Sequence, residues 1–356
     1  MSNDVFAHPL YAPAAGMAEA LKARDRLVLL GHVTPDGDAI GSMYALGFAL
    51  RALGKEVALC DESGLPESWG WLPGPGPVYA EFGDVPFTPQ TLVFLDCAEY
   101  GRLGERLGPA LRQRALPNLV IDHHLSTPGK GVAVRAGCQE AWVEPQAAAT
   151  GQLVAAVVAR LGVNVDKAMA EALYVAISSD SGSFAFDNVT PELFNLAAWL
   201  MRCGCDVSAV RRHMDKQWTP MRMRLWGELL QHFQLHDGER IALCRIPRSL
   251  LDKHGACKDD LEGLAEHLRL LKSVDVAATL REDAPGRNKL SLRSSGAVNV
   301  QAMAARFGGG GHRNAAGATI TGTLEEACQR LLDVVTRELG HDAPDGGQAL
   351  GLYARR

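Results

Sequence analysis

Four short segments of this chain carry side chains that hold metal ions and move protons: His32-Val33-Thr34-Pro35-Asp36-Gly37-Asp38, Asp96, Asp122-His123-His124 and Asp180-Ser181-Gly182. Carboxylate oxygens suit hard divalent cations, and imidazole nitrogens suit manganese, iron or zinc. Asp36 and Asp38 flank a glycine, so a tight turn there can aim them at two neighbouring ions, and a carboxylate such as Asp96 can bridge the pair. Taken singly, each segment has a plainer explanation, since an aspartate after a strand commonly caps a helix or closes a turn. Two adjacent histidines straight after an apolar strand are harder to explain that way. The four segments together define a candidate active site.

Each segment stands at the end of a predicted element. Leu27–Gly31, Glu56–Leu59, Leu92–Leu95 and Leu119–Ile121 are short apolar runs that read as buried strands. Helical spacing covers Ala39–Leu53, Arg102–Arg114, Ala147–Leu161, Lys167–Ser179 and Pro191–Met201, with Gly204 placed to stop the last. Strands alternating with helices predict a mostly parallel sheet flanked by helices. The carboxyl ends of its strands line one edge, where residues far apart in sequence can meet. Beyond a predicted long helix at Thr219–Phe233, strands are expected at Arg240–Ile246, Ser273–Arg281 and Asn288–Arg293, and helices at Val300–Phe307 and Leu324–Leu339. The reading is therefore an α/β protein of two domains: residues 1–205, a helical linker 206–236, a smaller α/β domain 237–340 and a tail 341–356.

The second domain carries the run Gly308-Gly309-Gly310-Gly311-His312-Arg313-Asn314. It lacks the Lys-Ser/Thr ending of a Walker loop. Consecutive glycines let backbone N–H groups approach an anion, and His312 and Arg313 add positive charge. From Ala284 to Leu324 there is no Asp or Glu, and Arg293 and Ser294 lie in that stretch. Arg293, Ser294, Gly309, Gly310, Gly311, His312, Arg313 and Asn314 are thus the candidates for binding a phosphate or nucleotide.

The segments HVTPDGDAIGS, LDCAEYGRLG, IDHHLS and SDSGSFAFDN, in this order and spacing, resemble the four motifs of the DHH phosphoesterase family. FGGGGHRNAAG resembles the glycine-rich motif of the associated DHHA1 domain, and the resemblance spans about residues 20–338. It implies a DHH domain followed by a DHHA1 domain, nearest the branch acting on short oligonucleotides and 3′-phosphoadenosine-5′-phosphate. Carried over by motif, His32, Asp36 and Asp96 would hold one metal, and Asp38, Asp96, His123 and Asp180 a second. His124 would face the substrate phosphate, with Asp122 orienting the histidines; Asp96, Asp122 and His124 are the catalytic candidates. The implied cofactor is a pair of Mn2+ ions, with Mg2+ or Co2+ as substitutes, and a homodimer is a further implication. The chain departs from the family's pattern at Ala185, where a basic residue is usual, which puts a substrate contact from that position in doubt. Related activities with the same motifs are a family II pyrophosphatase, a single-strand exonuclease and a cyclic dinucleotide phosphodiesterase. The first would need a lysine-rich second domain and the second an added nucleic-acid-binding domain, neither evident here. A catalytically silent nucleotide sensor is the contrasting class, and the filled motif positions argue against it.

Composition sets the outer bounds. At 356 residues, 47% hydrophobic and 22% charged, the chain is globular and long enough for two cores. A net charge of −5 argues against a binder of long nucleic acid and favours a small anionic partner such as a short oligonucleotide or phosphorylated nucleotide. No apolar run approaches the roughly 18 residues of a membrane span, and the N-terminus does not read as a signal peptide, so a cytoplasmic protein is expected. The eight cysteines are expected reduced and packed in the core, with Cys203 and Cys205 a weak zinc signal.

Overall fold

The computed structural model describes residues 5–124, 138–215, 218–296 and 298–341, with the side chains of His312 and His341 excepted. The chain divides into two compact units, Met1–Gln217 and Trp218–Arg356. Among the described residues, no helix is long and apolar enough to cross a membrane. The eight cysteines are unpaired and five of them are buried.

The first unit is built on six parallel strands: β1 (Leu27–Leu30), β2 (Val57–Cys60), β3 (Val78–Tyr79), β4 (Thr91–Leu95), β5 (Asn118–Asp122) and β6 (Cys138–Val143). Their order is β3-β2-β1-β4-β5-β6. Helices α1 (Ala14–Lys22), α2 (Gly37–Ala52), α3 (Leu107–Arg114), α4 (Thr150–Leu161), α5 (Lys167–Asp180), α6 (Pro191–Arg202) and α7 (Val207–Asp215) complete it. Both faces of the sheet are covered, which is why β1, β2, β4 and β5 read as continuous apolar runs rather than alternating ones. Leu27 and Leu29 enter one core with α1, α2, α4 and α5, while Val28 and Leu30 enter the other with α3. Helix α2 is buried almost all round, because it lies against both sheet and α5. Gly41 permits that approach: a β-carbon there would lie 2.3 Å from the carbonyl oxygen of Ala172.

Strand order reverses between β1 and β4. At such a switch point the loops leaving neighbouring strands diverge and open a crevice at the carboxyl edge. His32–Asp38 leaves β1 and Asp96 leaves β4 on either side of that crevice.

The second unit holds β7 (Gln234–His236), β8 (Ile241–Ile246), β9 (Val276–Ala284), β10 (Arg287–Ser294), β11 (Gly310–His312) and β12 (Ala315–Thr321), in the order β11-β12-β10-β9-β8-β7. Only the β8–β9 pair is parallel. Helices α8 (Pro220–Gln231), α9 (Arg248–His254) and α10 (Leu264–Leu268) cover one face, and α11 (Val300–Ala305) and α12 (Leu324–His341) the other. The fold class is the α/β arrangement read from the sequence. Within segment 206–236, Val210 of α7 packs into the first unit's core, and Leu225, Trp226 and Leu229 of α8 pack into the second's.

Candidate metal centre

Three groups of ligand atoms, each mutually within 4.8 Å, share members: His32, Asp36 and Asp96; Asp38, His123 and Asp180; and Asp96, His123 and His124. Asp96 stands at the centre. Its Oδ2 lies 3.3 Å from His32 Nε2, and its Oδ1 lies 3.5 Å from His123 Nε2 and 3.4 Å from His124 Nδ1. It is 1% exposed and sits at φ 58°, a left-handed backbone that costs of order 1 kcal/mol or more for a residue with a side chain. The turn spends that energy to bring the carboxylate over the switch point.

Asp36 uses its two oxygens differently. Its Oδ1 caps α2, accepting the N–H groups of Asp38 at 2.9 Å and Ala39 at 3.1 Å. Its Oδ2 faces His32 Nε2 at 3.7 Å. Asp38 is fully buried and held by another helix end: Thr150 N–H reaches its Oδ2 at 2.6 Å and Gly151 N–H its Oδ1 at 2.8 Å. Those amides belong to the first turn of α4, whose dipole favours negative charge. Ser42 adds a hydroxyl at 3.2 Å. The Thr150 hydroxyl donates to Asp96 Oδ1 at 3.0 Å, so one residue steadies two carboxylates.

The histidines are fixed through one nitrogen each. Nδ1 of His123 is 3.2 Å from the carbonyl of Ala147, and Nδ1 of His32 is 3.1 Å from that of Val33, so both rings donate there and turn Nε2 inward. Asp122 receives His124 Nδ1 at 2.8 Å and its backbone N–H at 3.1 Å. Asp180 closes α5 with Oδ2 3.1 Å from His123 Nε2, while Asn188 ties the Asp180 carbonyl to that of Ala148.

His123 Nε2 supplies the test of what belongs here. It is shielded from solvent and has no hydrogen-bond partner of acceptable geometry, yet carboxylate oxygens of Asp180, Asp96 and Asp38 surround it at 3.1, 3.5 and 3.7 Å. A nitrogen lone pair facing several buried carboxylates is unfavourable unless a cation stands among them. Without a metal a proton fills that role. Burial opposes charging His123 and His32, but hydrogen bonding and charge from the surrounding aspartates outweigh it, taking His123 up to about 10 and His32 up to about 11. Burial, reinforced by neighbouring carboxylates, pushes Asp38 and Asp180 upward. The donor set of carboxylate and imidazole fits a divalent cation.

The predicted residues of the first unit are thus gathered at one point. Those of the second unit are engaged in local structure. Gly310 and Gly311 belong to edge strand β11, paired with β12, and a β-carbon on Gly309 would lie 2.1 Å from the carbonyl oxygen of Gly317. Ser294 is buried, donating to the carbonyl of Val298 at 2.8 Å and accepting from Asn314 at 3.0 Å. Asn314 also reaches the carbonyl of Gly296 at 3.2 Å, and Arg293 pairs with Glu266 at 2.5 Å. Arg313 is exposed, and the His312 side chain lies outside the described residues.

Sequence reasoning passed over several residues that shape the centre. Thr150 and Ser42 are single polar residues in apolar helices and give no periodic signal. Ser63, after β2, accepts the N–H of Thr34 at 2.8 Å and so holds a left-handed turn (φ 58°) inside the first motif. Asp61, 1% exposed, accepts Ser63 N–H at 2.8 Å through Oδ1, while its Oδ2 has no hydrogen-bond partner. Near Ala185, Arg211 of α7 places its guanidinium on the Ser183 hydroxyl.

A doubly wound α/β unit with carboxylates and imidazoles converging at the switch point defines a metal-dependent hydrolase class rather than a nucleotide-cofactor fold. The comparisons narrow it. Residues 26–177 match the DHH family, N-terminal domain, and residues 239–341 match the DHHA1 domain. The chain belongs to the DHH phosphoesterase family. It is 34% identical to the bifunctional oligoribonuclease and PAP phosphatase NrnA of Thermus thermophilus, across 91% of this chain and 93% of that protein. It is 26% identical to the cyclic-di-AMP phosphodiesterase GdpP of Geobacillus thermodenitrificans, across 93% of this chain and 50% of the relative. Among solved structures, an exopolyphosphatase-related protein from Bacteroides fragilis superimposes with a TM-score of 0.81 at 27% identity, covering 92% of this chain and 96% of that one.

Proposed function

We propose that this protein hydrolyses short oligonucleotides and 3′-phosphoadenosine-5′-phosphate, using two divalent cations, manganese by preference, held around Asp96. The observation that carries the reading is the unpartnered His123 Nε2 among three carboxylates. The near-full-length likeness to an oligoribonuclease and PAP phosphatase supports the substrate class. His32, Asp36 and Asp96 would hold one ion, and Asp38, Asp96, His123 and Asp180 the other. Bound there, the ions supply an acidified water and polarise the phosphoryl oxygens. The remaining work falls to the chain. The α4 amides hold the Asp38 carboxylate in place, and the Thr150 hydroxyl holds that of Asp96. Asp122 anchors Nδ1 of His124, so Nε2 is presented to a phosphate oxygen as charge develops on it. Arg293, Ser294, Gly309–Gly311, His312, Arg313 and Asn314 are proposed to serve substrate binding, Ser294 and Asn314 by shaping the loops that display the others.

The test is a substrate panel of 5′-phosphorylated dinucleotides, 3′-phosphoadenosine-5′-phosphate, cyclic di-AMP and pyrophosphate, each with Mn2+, Mg2+ or chelator. Cleavage of the first two, strongest with Mn2+ and abolished by chelation, is expected. Preference for pyrophosphate, or no turnover with any cation, would overturn the proposal. Preference for cyclic di-AMP would move it to the activity named for the GdpP relative.

A further inference from the structure

Segment 61–77 leaves β2 at the same sheet edge as the metal centre, and four prolines stiffen it. It is also pinned. Leu72 is 3% exposed in the core, and the Arg51 guanidinium donates to the carbonyl of Pro75 and, at 2.7 Å, to that of Val57. Gly74 packs on the ring of Tyr44, where a β-carbon would lie 2.6 Å from Cζ. Leu72 is therefore the anchor, yet the residues at either side of Gly70 are both tryptophan, and both indoles stay partly exposed.

Their placement gives them a use. A β-carbon on Gly37 would lie 2.9 Å from Trp69 Cη2 and 2.7 Å from Ser179 Oγ, so the Trp69 ring touches the residue between Asp36 and Asp38 and borders the one before Asp180. Trp71 follows at 6.5 Å between ring centroids and 46° between planes. Its ring stacks on the exposed His213 of α7 at 4.6 Å and 9°. Three aromatic rings thus follow one another from Gly37, between Asp36 and Asp38, to the exposed His213 within the first unit. A purely inorganic phosphate chain gains nothing from such a row, whereas every nucleobase has a π-face that stacks on it irrespective of sequence. The stiff loop and two-torsion side chains hold the rings in place before binding, so little ordering entropy is lost.

We propose that Trp69, Trp71 and His213 form a nucleobase subsite, with Trp69 receiving the base nearest the reacting phosphate and the Trp71–His213 pair extending the platform. The inference rests on the phosphoesterase reading and adds to it the part of the substrate that the first unit recognises. It makes the enzyme select for nucleotides by stacking, without base-specific hydrogen bonds.

The experiment compares kcat/KM for a 5′-phosphorylated dinucleotide with that for the same compound lacking one base, in wild type, Trp69→Phe and Trp69→Leu, the last keeping apolar volume without a ring. Wild type should prefer the intact substrate by about 10- to 100-fold. Trp69→Phe should keep most of that ratio, and Trp69→Leu should bring it near one. A second arm reads binding without turnover: a 2-aminopurine dinucleotide should be quenched on binding wild type and Trp69→Phe, and far less by Trp69→Leu. An unchanged ratio in a folded, metal-replete Trp69→Leu protein overturns the subsite while leaving the hydrolase intact. Quenching without turnover of any substrate would instead overturn the hydrolase and support the subsite. Should Trp69→Leu fail to fold, His213→Ala, at the exposed end, must weaken the quenching or the proposal fails.

Discussion

The candidate residues of the two units are treated in opposite ways. In the second, Ser294 and Asn314 satisfy each other and the loop carbonyls around them, and Arg293 is matched by Glu266. In the first, Asp38, Asp96, Asp180 and His123 are brought together beyond what hydrogen bonding can satisfy, leaving His123 Nε2 without a partner. A satisfied network rigidifies a fold, whereas buried charge in excess of its partners is tolerated where a ligand completes it. The difference teaches where to look for chemistry in this chain: at the residues the protein alone leaves incomplete.

The comparison can be broken most directly at its centre. Asp96→Ala should lower kcat by more than about 1,000-fold and strip bound metal, since both proposed ion sites lose a ligand. Retention of a tenth of the wild-type rate with normal metal content would remove Asp96 from the bridging position. Thr150→Val keeps the shape of the α4 start but deletes the hydroxyl on Asp96. A fall of about 10- to 100-fold in metal affinity or activity is expected, as for other groups that orient ligands, and isothermal titration with Mn2+ measures it.

A third change sharpens the contrast through pH. Burial holds Asp61 up to about 6, against 3.8 for an ordinary aspartate, with its Ser63 contacts opposing. The native state therefore favours the protonated acid, and stability falls as pH rises through the window from 3.8 to about 6. Asp61→Asn should remove that slope and gain ~2 kcal/mol at pH 7. Urea melts at pH 4, 5, 6 and 7 check it, and parallel curves for both proteins would contradict the assignment. The smallest effect belongs to the second unit. His312→Ala should raise KM for dinucleotides up to about tenfold, ~1.4 kcal/mol, with metal content unchanged. Metal loss in that variant, read by elemental analysis, would erase the division between the units.

Much of the first unit was legible because both faces of its sheet are covered. β1, β2, β4 and β5 stand out as unbroken apolar runs, and the motifs of His32, Asp96 and Asp122 lie where β1, β4 and β5 stop. Edge strand β6 was not, since Gln139 and Glu140 interrupt Cys138–Val143 and only Trp142 of it is buried. In the second unit, β11 and the first four residues of β12 are mostly glycine and alanine, without the branched residues that announce strands, so Gly308–Asn314 read only as an anion-binding loop. The ligand types were evident from local patterns. Their supports were not, because Thr150 and Ser63 act across gaps of 112 and 29 residues in sequence and mark no period.

Asp36 divides its two oxygens between a helix start and the cation cluster, and this separates folding from ion capture at a single atom. Asparagine there retains the oxygen that greets the α2 amides and surrenders the anionic one. Such a protein offers a well-formed decoy short of one anionic ligand, able to hold an uncleaved nucleotide long enough for its bound pose to be seen.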